Sequence, residues 1–313
     1  ISDVIYGLLQ RHQRMDRVAQ SMMVKGALSL LALAVTMLVT GRVFYGVFAM
    51  AAARVVILVG WDFPNAGRVL GGSLRPWRGN GTYRRLLPRW DARTMLALSR
   101  LSFPLGLVML LIALKNNVPR YAVEHFWGED SLGIYGPLAY FTLVGTTAIR
   151  AIGASATPRL AQCYAEGRAS SFGMLALKLA AIAAAIGAGG VIVAMFAGPA
   201  ILTILYKPEY AEYNNVLVWT MVAGAINYVA SIGHCAINAA RYFRAQLPLF
   251  AVVAGTAAVA CVWLIPAYGM VGAAMSFCLA ALAQLLGSGI VVSHALGALR
   301  RAPSVAAGVA EAP

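Results

Sequence analysis

Seven basic side chains fall inside long apolar runs of the sequence: Lys25, Arg54, Arg100, Lys115, Arg120, Arg150 and Lys178. A cation at the centre of a bilayer costs at least about 2.5 to 3.5 kcal/mol on insertion scales, so such a residue faces a bundle interior, a wet cavity or the nearest interface. Lys25, Arg120 and Lys178 lie close to span ends, where a long aliphatic stem lets the charge reach the interface. Arg100 fits either placement. Arg54, Lys115 and Arg150 lie nearer their span centres and are expected to face a water-accessible interior. No carboxylate is expected at comparable depth, because Asp62 and Glu124 fall at span ends. The interior is therefore expected to be cationic. Guanidinium and ammonium groups match phosphate oxygens, so Arg54, Arg100, Lys115 and Arg150 are the substrate-binding candidates, for a ligand that carries phosphate.

Other polar residues bear on the same interior. Asn227, Ser231, His234 and Asn238 follow one another at i, i+4, i+7 and i+11, which puts four polar side chains on one helical stripe. Hydrogen bonding between helices and contact with substrate both fit that stripe. Pro104, Asn116, Asn117 and Pro119 interrupt one apolar run, and a proline removes a helical hydrogen bond, so this run is expected to kink and act as a gate. Small residues from Gly269 through Gly272, Ser276 and Ala280 to Gln284 recur at the spacing that lets helices pack closely. Cys163, Cys235, Cys261 and Cys278 have no metal-like spacing and read as small buried hydrophobes. No catalytic constellation, metal site or cofactor is expected.

The elements that must hold these residues follow from composition. The chain has 313 residues, 60% of them hydrophobic and only 12% charged, with a mean hydropathy of +0.74. Soluble domains carry roughly 25% charged residues, so this is an integral membrane protein. Its net charge of +14 is then no sign of a nucleic-acid partner. At about 20 residues per span, eight transmembrane helices are expected, near 17–39, 43–61, 95–124, 132–157, 172–196, 213–240, 246–265 and 269–293. Residues 4–10 would be the remnant of a ninth. Pro199 to Tyr206 is apolar but short and reads as an interfacial helix or loop.

Basic residues mark the cytoplasmic side. Sixteen of the 25 lie in alternate connections, including Arg68 to Arg93, whereas the intervening ones hold only Arg42 and Lys207 and gather Glu124, Glu129, Asp130, Glu209 and Glu212. The expected organisation is residues 1–61 as the end of a first lobe, 62–93 as a basic linker with Gly71-Gly72 and Gly79-Asn80-Gly81, 94–294 as a second lobe of six spans, and 295–313 as a disordered cytoplasmic tail. Arg17, one span and Thr40-Gly41 resemble Arg244, one span and Tyr268-Gly269 at an offset of 227 or 228 positions, the mark of a repeated unit. The chain opens on Ile1 with no signal-peptide pattern, and is expected to be a piece of a longer, twelve-span protein.

Several stretches carry a family likeness. They are Pro104-Leu-Gly-Leu-Val-Met-Leu with Asn117-Val-Pro-Arg-Tyr121, Gly128-Glu-Asp-Ser-Leu-Gly-Ile-Tyr135, Ala156-Thr-Pro-Arg-Leu-Ala161 with Tyr164-Ala-Glu-Gly167, Ile204-Leu-Tyr-Lys-Pro-Glu-Tyr210 and the run Ile265 to Ala274. The first part adds Tyr6-Gly-Leu-Leu-Gln10, Arg54 and Asp62. Together they resemble the O-antigen and exopolysaccharide flippases of the polysaccharide transport family, within the multidrug/oligosaccharidyl-lipid/polysaccharide exporter superfamily. The resemblance implies two helical lobes around a central cavity in the inner (plasma) membrane. It implies a polyprenyl-diphosphate-linked oligosaccharide as substrate, flipped by alternating access without bond-making, and polysaccharide-assembly proteins and the lipid bilayer as partners. The alternatives are a lipid II flippase of peptidoglycan synthesis, a cation-coupled multidrug exporter of the same superfamily and, from another class, a membrane glycan polymerase or ligase.

Overall fold

The computed structural model describes residues 5–6, 15–65 and 91–301. Arg11, Arg14, the arginines and glycines of 68–89 and the tail 302–313 lie outside the described residues. The chain is an all-α polytopic membrane protein: the described residues form long helices and no strand, and six of the helices are long and apolar enough to cross a membrane. A bilayer offers no water to the backbone, so a spanning segment must satisfy its own N–H and C=O groups, which a helix does within itself.

Two compact units divide between Arg93 and Thr94. In the first, α1 (Met15–Thr40) turns at Gly41, whose φ is +64°, into α2 (Val43–Ile57). Gly46 permits the close approach of these helices, since a Cβ there would press on Leu33 and Met37. A π-helical turn, Leu58–Asp62, then continues α2, and helix persists to Asn65, past the expected end at residue 61.

The second unit comprises α3 (Ala92–Ala165), α4 (Ala169–Leu205), a 3-10 turn (Pro208–Tyr213), α5 (Asn214–Ala239) and α6 (Phe243–Arg301). Both α3 and α6 exceed one membrane crossing, and each is broken at a single glycine: Gly128 with φ +81° and Gly269 with φ +59°. The six helices thus supply eight helical segments. Segment 92–127 folds back on 129–165, so that Val123 joins Tyr135 and Leu138 in one core. Segment 243–268 does the same against 270–301, with Val253 and Ala257 on Ala280. Pro104, Asn116, Asn117 and Pro119 stay within helical dihedrals, and the break falls at Gly128 instead, because a reversal needs a positive φ that proline does not adopt. Gly41 and Gly269, 228 positions apart and matched in the sequence likeness, both have a positive φ.

Two other boundaries differ from the sequence reading. Residues 199–205 are neither loop nor separate helix but the last turns of α4, because Leu202 there is fully buried in the core with Leu138 and Leu217. The last helix runs on to Arg301, so residues 295–301 are helical, and Ala295 packs on Phe172 and Ala236.

The two glycine breaks meet. Trp127 donates its indole N–H to the Ile265 carbonyl at 3.0 Å, four residues before the break at Gly269. The same ring lies 3.4 Å from where a Cβ on Gly269 would stand. Gly269→Val is expected to lower stability by about 1 to 3 kcal/mol through the forced left-handed backbone and the clash with Trp127. Gly255→Ala, at an open helical position, is expected to raise it by about 0.4 to 1 kcal/mol. Melting of the purified chain checks both, and an unchanged midpoint for Gly269→Val contradicts the role given to this turn.

Candidate functional site

The interior of the second unit is organised around α5, whose buried residues share cores with α4 and with the middle and the C-terminal part of α6. Tyr228 anchors it: the hydroxyl donates to the Thr142 carbonyl at 2.8 Å, and the ring occupies the space that Gly145 leaves open. This register turns the Asn227 end of the polar stripe toward Lys115 of segment 92–127 and the His234–Asn238 end toward segment 243–268.

Lys115 points into that interior and is only 3% exposed. Its Nζ donates to Asn227 Oδ1 at 2.6 Å and to Gln284 Oε1 at 2.7 Å, and stands 5.1 Å from the centre of the Phe277 ring. Hydrogen bonds to a charged group contribute about 1.5 to 3 kcal/mol each, so two of them offset the insertion cost of one ammonium. Among the described residues no carboxylate lies within ion-pair distance of it. The charge is solvated but not neutralised. Such a group has electrostatic attraction left over for an anion.

The stripe continues below. Ser231 Oγ donates to the Asn227 carbonyl at 2.7 Å. Asn238 lies 3.1 Å from His234 Nε2 and accepts from Gln246 Nε2 at 2.5 Å. With the Asn238 amide donating, His234 Nε2 accepts, and the neutral ring carries its proton on Nδ1. That atom is buried without a hydrogen-bond partner among the described residues. The ring edge packs on Phe250 at 5.1 Å. One face of α5 therefore presents polar groups over eleven positions, about 16 Å of helix.

Of the sequence candidates, the structure brings Lys115 and Asn227 together, and His234 with Asn238. It does not gather the arginines there. Arg150 is exposed although its neighbour Ile149 is 1% exposed, so Arg150 lies outside the core of its unit. Arg100 and, in the first unit, Arg54 are exposed as well. Pro104 and Asn116 are exposed, Pro119 is buried, and Asn117 returns its amide to the Ala113 carbonyl at 2.9 Å. Gln284 and Gln246, both nearly inaccessible, were not among the candidates. Gln284 stands within the stripe of small residues, where a single long amide among Gly, Ala and Ser was the available signal.

The first unit corrects one expectation. Lys25 does not reach for the interface: its Nζ lies 2.5 Å from Asp62 Oδ2 and donates to the Tyr6 hydroxyl at 2.7 Å. Ser21 donates to the other oxygen of Asp62 at 2.5 Å, and Asp62 is 1% exposed. A carboxylate does therefore lie inside a helix pair. The π-helical turn Leu58–Asp62 shifts the helix register at its end, and Asp62 closes that turn facing α1.

No protein-family model matches the chain. The capsular polysaccharide biosynthesis protein CapF of Staphylococcus aureus is 27% identical over 188 residues, which is 59% of this chain and 47% of that relative. The chain thus spans about half the length of the curated relative it matches. Among solved structures, an inward-facing multidrug resistance MATE family transporter of the MOP superfamily aligns with a TM-score of 0.72 at 15% identity, over 96% of this chain and 69% of that one. A mutant of the Vibrio cholerae MATE transporter VcmN aligns with a TM-score of 0.68, also at 15% identity, over 96% of this chain and 66% of its own. The chain has the fold of these multi-pass transporters.

Gln284→Leu strips Lys115 of one acceptor and is expected to cost about 1.5 to 3 kcal/mol in unfolding free energy. Lys115→Met, which removes the charge itself, is expected to cost less, and the double variant less than the sum of the two. Denaturation of the four proteins in one detergent checks this. Additive losses contradict the coupling.

Proposed function

We propose that the chain belongs to a flippase that moves a polyprenyl-diphosphate-linked oligosaccharide, an O-antigen or exopolysaccharide repeat unit, across the inner membrane by alternating access. The observation that carries this reading is the coincidence of a MATE-type transporter fold with a sequence relative whose printed role is capsular polysaccharide biosynthesis. Lys115 supports it physically. An ammonium held by neutral amides gains when it exchanges one of them for a diphosphate oxygen, because the anion adds the attraction of opposite charges to a hydrogen bond that the amide already provides. Arg100 and Arg150, exposed on the second unit, and Arg54, exposed on the first, are the further cation candidates of the chain. The hydroxyl-rich glycan is compatible with the amide and hydroxyl stripe from Asn227 to Asn238. Nothing in this account makes or breaks a covalent bond, so the chain acts as a transporter and not as an enzyme.

A second reading is favoured by one observation. Asp62 is the buried carboxylate that a cation-coupled multidrug exporter of this fold would use. Here Lys25 already neutralises it, which leaves the flippase as the better fit.

Proteoliposomes holding a fluorescent lipid-diphosphate oligosaccharide distinguish the two. The protein is expected to carry the label to the opposite leaflet, and substitution of Arg54, Lys115 and Arg150 together by alanine to slow this by about tenfold or more. Transport of a cationic dye with no movement of the glycolipid would favour the exporter. Unchanged flipping in the triple variant would remove these cations from the account.

A further inference from the structure

The 3-10 turn Pro208–Tyr213, at the end of α4 away from Arg168, borders a cavity of about 640 Å³ lined by Tyr206, Lys207, Glu209, Tyr210, Glu212 and Tyr213. None of these takes part in the Lys115 network. Tyr206 and Tyr210 stack with ring centres 5.2 Å apart and planes 23° from parallel, and Phe141 meets Tyr206 edge-on at 6.4 Å. The aromatic wall is thus a supported surface. Two carboxylates and one ammonium give the rim a net charge of −1.

Its height in the membrane follows from the residues just before it. Ile204 is 81% and Leu205 60% exposed at the end of a spanning helix, and apolar side chains so exposed contact acyl chains. Tyr206 to Tyr213 therefore sits at the boundary of hydrocarbon and headgroups, the level at which tyrosine and tryptophan gather.

We propose that this cavity binds the headgroup of an amine-bearing zwitterionic phospholipid. The ammonium lies between the tyrosine faces and the carboxylates of Glu209 and Glu212, the phosphate is within reach of Lys207, and the acyl chains run along Ile204 and Leu205. Tyrosine faces attract cations through the negative face of the ring, and the two carboxylates add to that attraction. An anionic glycerol headgroup offers no ammonium and brings one more negative charge to an already negative rim. An amino sugar shares the ammonium but has neither the phosphate for Lys207 nor the chains for the apolar side chains. The assignment is independent of which substrate the chain transports.

The test places the purified chain in nanodiscs with equal mole fractions of phosphatidylethanolamine and phosphatidylglycerol, and quantifies by mass spectrometry the lipid retained after mild delipidation. Phosphatidylethanolamine is expected to be enriched by about threefold or more. The enrichment is expected to fall to parity in the double variant Glu209→Gln, Glu212→Gln and in Tyr210→Ala, and to survive in Tyr210→Phe, which keeps the ring face, and in the distant Lys178→Gln. Parity or a preference for phosphatidylglycerol in the unaltered chain overturns the proposal. So does enrichment that persists in both the Glu209→Gln, Glu212→Gln double variant and Tyr210→Ala. Displacement of the lipid by millimolar glucosamine would give the site to a sugar and overturn the lipid assignment.

Discussion

A charged group between helices in a bilayer has to receive from the protein the solvation that water no longer gives, and each unit of this chain meets that constraint differently. In the first, Lys25 is matched by the Asp62 carboxylate, and Ser21 and Tyr6 add hydrogen bonds to the pair. In the second, Lys115 is held by the amide oxygens of Asn227 and Gln284. Three helical segments distant in sequence are joined at that one nitrogen, and the charge survives. A solvated but uncompensated cation is costly to keep, and the proposed binding of an anionic headgroup would account for it.

The same medium governs the turns. Irregular backbone is tolerated at membrane depth only where its polar groups find partners, and among the described residues five reversals turn at a single residue with positive φ, Gly41, Gly128, Gly167, Arg241 and Gly269, while α4 passes to α5 through the 3-10 turn Pro208–Tyr213. At one end Trp127 closes the account by donating to Ile265 across two such turns. This bracing fixes how segments 92–127 and 270–301 approach α5, and with it the distance between Lys115 and its two amides.

Much of this was legible in the sequence. Eight helical segments and the weight of the α5 stripe follow from hydropathy and spacing, because a bilayer imposes lengths and a helix imposes periods. Lys115 and Asn227 were both visible, but each in its own helix, and nothing in spacing says that residues 112 positions apart share a hydrogen bond. Gln284 was masked by the small residues around it. Asp62 does lie at the end of its span, but the sequence did not show that a π-helical turn there directs it against α1. The prolines at 104 and 119 suggested a kink that the backbone makes at Gly128, since a reversal depends on the sign of φ more than on a missing donor. Pro199 misled in the same way, because burial of Leu202 outweighs the one hydrogen bond that proline removes.

The central claim is that the amide-held ammonium of Lys115 is kept for a diphosphate. Titration of the purified chain with a polyprenyl diphosphate, followed by isothermal calorimetry, tests it most directly. The account predicts that Lys115→Met weakens binding by about tenfold or more, equivalent to about 1.4 kcal/mol, while Lys25→Met, in the neutralised pair, changes it far less. Equal affinity in the unaltered chain and in Lys115→Met, with both proteins folded, would contradict it.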